Sequence, residues 1–218
     1  VYLYTVDDLS TLVQTAGELG IARLSINGEV AMEHTPPTLR AGEAHLTPPP
    51  GGFLQACEPS EAAMLRLVQD AVGDARRVVD LFSGSGTFSL PLASAATVHA
   101  VESDEAALVA LDRAARRAQG LKPVTTERRD LFRQPLTREE LKRFDAAVID
   151  PPRAGAEAQS KQLASSSAKR VAMVSCNAAT FARDLKIMLD GGYRVTRIAP
   201  IDQFLWSPHI EIVAALRR

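Results

Sequence analysis

Cysteine is scarce in this chain of 218 residues: Cys57 and Cys176 are the only two. Two thiols cannot by themselves complete a zinc site or an iron–sulfur cluster, and they read as free thiols of a reducing compartment rather than as a disulfide. Long apolar runs are lacking, so nothing is long enough to span a bilayer, and the start of the chain has no basic-then-apolar secretory pattern. A cytoplasmic protein with no membrane partner and no metal is therefore expected. An excess of charge of one sign is also missing. Twenty-five basic and 26 acidic side chains leave a formal charge of −1, so any contact with a polyanion has to be local.

What is present is enough apolar material, 46%, to bury one full core with a short appendage. Residues 1–51 differ in texture from the rest. A helix is predicted over residues 5–19, with Leu9, Leu12, Val13, Ala16 and Leu19 at helical spacing, and a hairpin over 22–32 turning at Asn27-Gly28. Prolines and glycines from Thr35 to Gly52 then mark a joint. The opening unit is too small to hold a core alone and reads as the tail of a preceding domain, an α+β remnant.

Beyond the joint the pattern alternates. Strands are predicted at 78–82, 98–102, 124–129, 146–150 and 171–175, and helices at 59–71, 88–93, 105–119, 156–165 and 178–189. Such βαβ repetition implies a doubly wound, mostly parallel sheet with ligands at the carboxyl ends of its strands. Residues 193–201 and 210–216 are separated by a loop without a helix, which predicts a terminal antiparallel pair. That seven-stranded plan belongs to Rossmann-like class I methyltransferases rather than to dehydrogenases.

The chemistry-bearing residues fall at those strand ends. Asp80-Leu81-Phe82-Ser83-Gly84-Ser85-Gly86-Thr87-Phe88 reads as strand, tight turn and helix, with glycines that let backbone approach a ligand. About twenty residues on, Val98-His99-Ala100-Val101-Glu102 ends a strand with an acid suited to ribose hydroxyls, which suggests an adenosine-containing ligand. Ser175-Cys176-Asn177 and Pro208-His209-Ile210-Glu211 bring a thiol nucleophile and a carboxylate base to the same sheet edge. Read alone, Cys176 is a small buried hydrophobe, Glu211 a solvated strand-edge charge, and Asp150-Pro151-Pro152 a strand-ending turn. The basic group Arg113, Arg116, Arg117 and Lys122 reads as a solvated helix face.

Taken together, Gly52-Phe53-Leu54-Gln55-Ala56, the Asp80–Phe88 stretch, Asp150-Pro151-Pro152-Arg153-Ala154-Gly155, Val174-Ser175-Cys176-Asn177-Ala178-Ala179-Thr180 and His209-Ile210-Glu211 resemble the RNA 5-methyluridine methyltransferases that act on uridines of transfer or ribosomal RNA. The resemblance runs from about Gly52 to the end of the chain and implies a catalytic domain over 52–218. It implies Cys176 as nucleophile, Glu211 as base, and S-adenosylmethionine contacts at Gln55, Phe82, Gly84, Gly86, Thr87, Glu102, Asp130 and Asp150. RNA is the implied partner and a monomer the expected state. Thr87 stands where many members have Asn, and nothing here resembles the family's RNA-binding β-barrel or its cysteine cluster.

The implied reaction explains the residue types. C5 of uracil is too weak a nucleophile to take a methyl group directly, whereas addition of the Cys176 sulfur at C6 generates an enolate at C5. An ordinary thiol titrates near pH ~8.5, so the site must either favour the thiolate or release its proton as attack occurs. Arg153 is a candidate cationic helper. Because C6 is hidden in stacked RNA, the uridine must be single-stranded or flipped out, and Phe53 could stack on it. Two other functions are compatible with parts of the sequence. An adenine amino-group methyltransferase also uses an Asp-Pro-Pro motif, but with an aromatic residue where Arg153 stands, and it needs no thiol. A non-catalytic cofactor-binding module would need neither Cys176 nor Glu211.

Overall fold

The computed structural model describes residues 9–204, 206–207 and 209–218; residues 5–8 of the predicted first helix and Pro208 lie outside them. The opening unit contains α1 (Leu9–Glu18), the antiparallel pair β1 (Arg23–Ile26) and β2 (Glu29–Glu33), and a second pair, β3 (Leu39–Ala41) and β4 (Ala44–Leu46). The expected hairpin turns at Asn27 and Gly28, both at positive φ. The β3–β4 hairpin was hidden in the breaker-rich joint, because its three-residue strands are too short to show an alternation. It is seated firmly all the same: Ala41, Ala44 and Leu46 are buried against Leu90 and Ala114. Its turn residue Gly42 has φ +62, and a Cβ there would stand 3.0 Å from Pro91 Cα.

The remaining elements are α2 (Glu58–Val72), β5 (Arg77–Leu81), α3 (Ser89–Leu92), β6 (Thr97–Glu102), α4 (Glu105–Arg117), β7 (Val124–Arg128), α5 (Arg138–Leu141), β8 (Ala146–Ile149), α6 (Glu157–Ala164), β9 (Arg170–Ser175), α7 (Ala178–Asp190), β10 (Arg194–Ile201) and β11 (Glu211–Arg217). Seven strands form one sheet in the order β10-β11-β9-β8-β5-β6-β7. β5 to β9 pair in parallel, and β11 runs antiparallel between β9 and β10. The predicted α/β architecture and its terminal antiparallel pair are thus present. α5 was not expected from the sequence; its single turn is held by a capping box between Thr137 and Glu140.

The apolar strands are buried on both faces, as a parallel sheet requires. Val78, Val98, Val148, Val174 and Val213 share one core cluster with α2 residues Met64, Val68 and Val72. Their alternate neighbours Val79, Leu81, Val101, Ile149 and Met173 pack with Leu163 of α6 and with Phe181 and Met188 of α7 on the other side. This two-sided clamp fixes the strands' carboxyl ends along one edge. The antiparallel β11 brings its first residue, Glu211, to the same edge.

Candidate functional site

A cavity of about 420 Å³ opens along that edge. Phe82, Ser83, Gly84, Ser85 and Thr87 line it from the turn after β5, and Glu102 and Ser103 from the end of β6. Asp150, Pro151, Pro152 and Arg153 enter after β8, Cys176 after β9, Glu211 from β11, and Phe53 and Gln55 from the segment before α2. Two predicted site residues are not among these. Gly86 (φ +99) faces inward, where a Cβ would press on Leu111 and Leu90 at 2.9 and 3.2 Å, so it permits the turn to pack on α4. Asp130 is exposed and caps its own turn, accepting from the N–H groups of Phe132 at 2.9 Å and Arg133 at 3.3 Å.

The turn after β5 is held open by unusual backbone. Phe82 has φ +63, a left-handed conformation that a bulky residue adopts at a cost, and its N–H and that of Ser83 both donate to the Val101 carbonyl. Gly84 has φ +53 and would meet nothing within 4 Å of a Cβ, so its backbone faces open space. Its N–H donates to Oε2 of Glu102 at 3.1 Å, tying the two loops together. Oε1 of Glu102 accepts from Ser103 and Asp104, and Asp104 caps α4 through Ala106 and Ala107. Oε2, with a single donor, keeps acceptor capacity toward the cavity.

The Cys176 loop and the Asp-Pro-Pro loop are clamped by α7. Asn177 caps the helix through Ala179 N–H and donates its amide to the Arg153 carbonyl at 3.1 Å, which Thr180 also reaches at 3.2 Å. Asp184, buried to 2% exposure, accepts from Ala156 N–H at 2.6 Å. Gly155 (φ +74) has no room for a side chain: a Cβ would lie 2.6 Å from Asp184 Oδ2 and 2.8 Å from Thr180 Cβ. These contacts leave the Arg153 guanidinium free to meet His209, whose Nδ1 lies 2.8 Å from Nη2. Because arginine can only donate, that ring nitrogen is the acceptor.

The register of β9 and β11 decides what can react here. Ile212 pairs with Ser175 and Val213 with Val174, so the β9–β11 ladder ends just before Cys176 on one side and Glu211 on the other, and both residues line the cavity. Burial pushes the Cys176 thiol up, and the neighbouring Glu211 and Asp150 push it further, with Arg153 opposing. This environment favours the protonated thiol at rest. Burial likewise raises Glu211, against a hydrogen bond from Gln203 and the charge of Arg153. Asp150 opens in part on the cavity, yet its enclosure, with Glu211 and Asp80 near, pushes it up to about 8. Asp80, fully buried under the turn, is pushed up to about 7 by burial although Ser89 donates to it at 2.6 Å.

Comparison with known proteins places this arrangement. The family model described as tRNA (Uracil-5-)-methyltransferase matches residues 43–218. The chain belongs to that family. It is 57% identical over 202 residues to an uncharacterized RNA methyltransferase of Rhizobium meliloti, covering 93% of this chain and 49% of that protein. It is 38% identical over 172 residues to the 23S rRNA (uracil(1939)-C(5))-methyltransferase RlmD of Chromohalobacter salexigens, covering 78% of this chain and 35% of that one. Among solved structures, the Pyrococcus abyssi tRNA (uracil-54, C5)-methyltransferase in complex with S-adenosyl-L-homocysteine superposes with a TM-score of 0.75 at 28% identity, over 87% of this chain and 46% of that chain. The chain spans about half the length of the curated relatives it matches first.

In this member of the uracil-5-methyltransferase family, two side chains at the site carry no sequence signal of their own. Phe132 lines the cavity with its ring centroid 5.4 Å from that of Phe82. Only an aromatic left exposed just past the predicted β7 could have pointed to it. Gln203, in the loop between β10 and β11, donates to Glu211 Oε1 at 2.9 Å. Its loop position shows in the sequence, but the partner across the loop does not. Cys57 lies at the start of α2 with its sulfur 3.1 Å from Ser60 Oγ, and both cysteines are free.

Proposed function

We propose that the protein containing this chain transfers a methyl group from S-adenosylmethionine to C5 of a uridine in transfer or ribosomal RNA, through a covalent bond between Cys176 and C6. The observation that carries this reading is that Cys176 and Glu211, each next to the last β9–β11 pair, line one cavity close enough for the Glu211 carboxyl to raise the thiol. In the same reading residues 52–218 are the catalytic domain and 1–51 the end of a preceding unit, docked through β3–β4. The reaction takes place in the cytoplasm, where thiols stay reduced.

The cavity fits the cofactor. Its volume of about 420 Å³ is that of a small-molecule site, for which ~300–1,000 Å³ is usual. Glu102 has acceptor capacity for ribose hydroxyls, the Phe82–Phe132 pair offers an apolar wall to a flat ring, and the bare backbone of Gly84 permits close approach. Gln55, Thr87 and Asp150 supply the remaining polar lining, and Asp130 supports the wall from behind through its bonds to the Phe132 turn. Bound there, S-adenosylmethionine supplies an electrophilic methyl group. Glu102→Ala is expected to weaken S-adenosylmethionine binding by about 1–3 kcal/mol, read by calorimetric titration; unchanged affinity would place the ribose elsewhere.

The chain's own residues do the rest. Phe53, 78% exposed at the rim, stacks on the flipped-out uracil. The Cys176 thiol releases its proton to water at the open mouth as sulfur closes on C6, and the nearby Arg153 cation favours the developing negative charge. After C5 is methylated, the Glu211 carboxylate removes the C5 proton; its electron pair restores the C5–C6 double bond and the thiolate departs. RNA carrying 5-fluorouridine at the target tests this order, because the fluorine cannot leave as a cation. A protein–RNA adduct stable to denaturing electrophoresis is expected, and its absence alongside full methylation of ordinary RNA would overturn the thiol pathway.

A further inference from the structure

Gln203 lies eight positions before Glu211, on the loop that carries the chain from β10 into β11. Its amide nitrogen donates to Oε1 of Glu211 at 2.9 Å and to Oε1 of Gln55 at 3.4 Å. Its carbonyl oxygen is buried and has no partner among the described residues. Buried polar atoms are nearly always paired, so an orphan beside a candidate base calls for an explanation. The groups near Glu211 are Cys176 after β9 and Asp150 and Arg153 after β8, while Gln55, before α2, lines the same cavity and meets Gln203. None of them donates a hydrogen bond to the Glu211 carboxylate among the described contacts; Gln203 does.

An amide has a donor end and an acceptor end at nearly the same shape. We propose that Gln203 is the positioning residue of the proton-removal step, serving Glu211 in both of its protonation states. As a carboxylate, Glu211 is held toward the substrate by the Gln203 N–H. When Glu211 takes the C5 proton, the C5–H electron pair becomes the C5–C6 double bond and the C6–sulfur pair returns to Cys176. The new carboxyl O–H then needs an acceptor. A half-turn of the Gln203 amide brings the unpartnered oxygen to face it, and Gln55 reverses in step so that its own N–H replaces its oxygen. Both glutamines thereby act on the base and leave the nucleophile alone.

This inference rests on the uracil-5 reading, and the test separates the two. RNA labelled with [5-³H]uridine is isolated from cells lacking the protein and given to the full-length enzyme with [methyl-¹⁴C]S-adenosylmethionine. The wild type is expected to release one tritium for each methyl transferred. In Gln203→Met and in Gln203→Glu, which keeps the side chain's shape but loses its N–H donor at neutral pH, the ratio of tritium released to methyl transferred in the first turnover should fall at least tenfold. The missing label should sit in a denaturation-stable protein–RNA adduct. The acid limb of tritium release should also move to higher pH, because the donor that lowers Glu211 is gone. Tritium release that keeps pace with methyl transfer in both variants, whether both rates are normal or equally reduced, would overturn the role of Gln203. A wild type that methylates RNA without releasing tritium from C5 would instead sink the uracil-5 reading itself.

Discussion

Cys176→Ala in the full-length protein is expected to abolish both methyl transfer and adduct formation, lowering turnover by roughly a thousandfold or more, as loss of a nucleophile does when no other group can form the intermediate. Cofactor binding should survive, since Cys176 sits beyond Asp150 from the turn after β5. The measurement is methyl incorporation into RNA, run beside calorimetric titration with S-adenosylmethionine. Cys176→Ser keeps the shape, but its hydroxyl is far too weak an acid to form the needed anion there, so it should be as inactive. Full activity of Cys176→Ala would remove the covalent pathway and favour direct transfer to an exocyclic amino group.

The pH dependence of the wild type follows from the same environment. Burial and the adjoining Glu211 and Asp150 carboxyls raise the thiol, so the thiolate becomes more available as pH rises. Glu211 is also raised, so the carboxylate proposed as the base is lost at a higher pH than an ordinary glutamate would be as the solution is acidified. Both effects have one sign. The rate should therefore climb from neutral into mildly alkaline pH.

The sheet was legible because its strands are short apolar runs separated by helices of ordinary length, and because the loop between residues 201 and 211 contains no helical pattern. That pattern gave the antiparallel pair, and with it the edge where Cys176 and Glu211 meet. The β3–β4 hairpin and α5 were not legible: three- and four-residue elements hold too few positions for a period to appear, and both depend on contacts made elsewhere, the first on Leu90 and Ala114, the second on a capping box. Gly86 shows a different limit. A glycine required for backbone approach to a ligand and one required for packing on Leu111 look the same in sequence. Asp130 shows another, since an acid at a strand end serves a ligand or its own turn equally well, and here it bonds to its turn. Gln203 could not be singled out because its role depends on which residue the loop folds against.

Glu211→Gln is expected to leave the first half of the reaction and stop the second. The glutamine carbonyl can still accept the Gln203 N–H, so the loop between β10 and β11 has no reason to collapse. Cys176 can still add at C6 and the C5 enolate can still take the methyl group, because neither event needs a proton removed from carbon. The neutral amide, however, cannot accept the C5 proton, and burial, the largest cause that raises Asp150, persists in the variant and makes it a poor substitute. Turnover should drop by about 10²–10⁴-fold, the usual cost of losing a general base. The distinguishing sign is an adduct on ordinary uridine, without fluorine, carrying the methyl group and retaining the C5 hydrogen. Denaturing electrophoresis with [methyl-¹⁴C]S-adenosylmethionine would show it as label moving with the protein. If Glu211→Gln released methylated RNA at the wild-type rate, the base would have to be sought among the other groups at the edge.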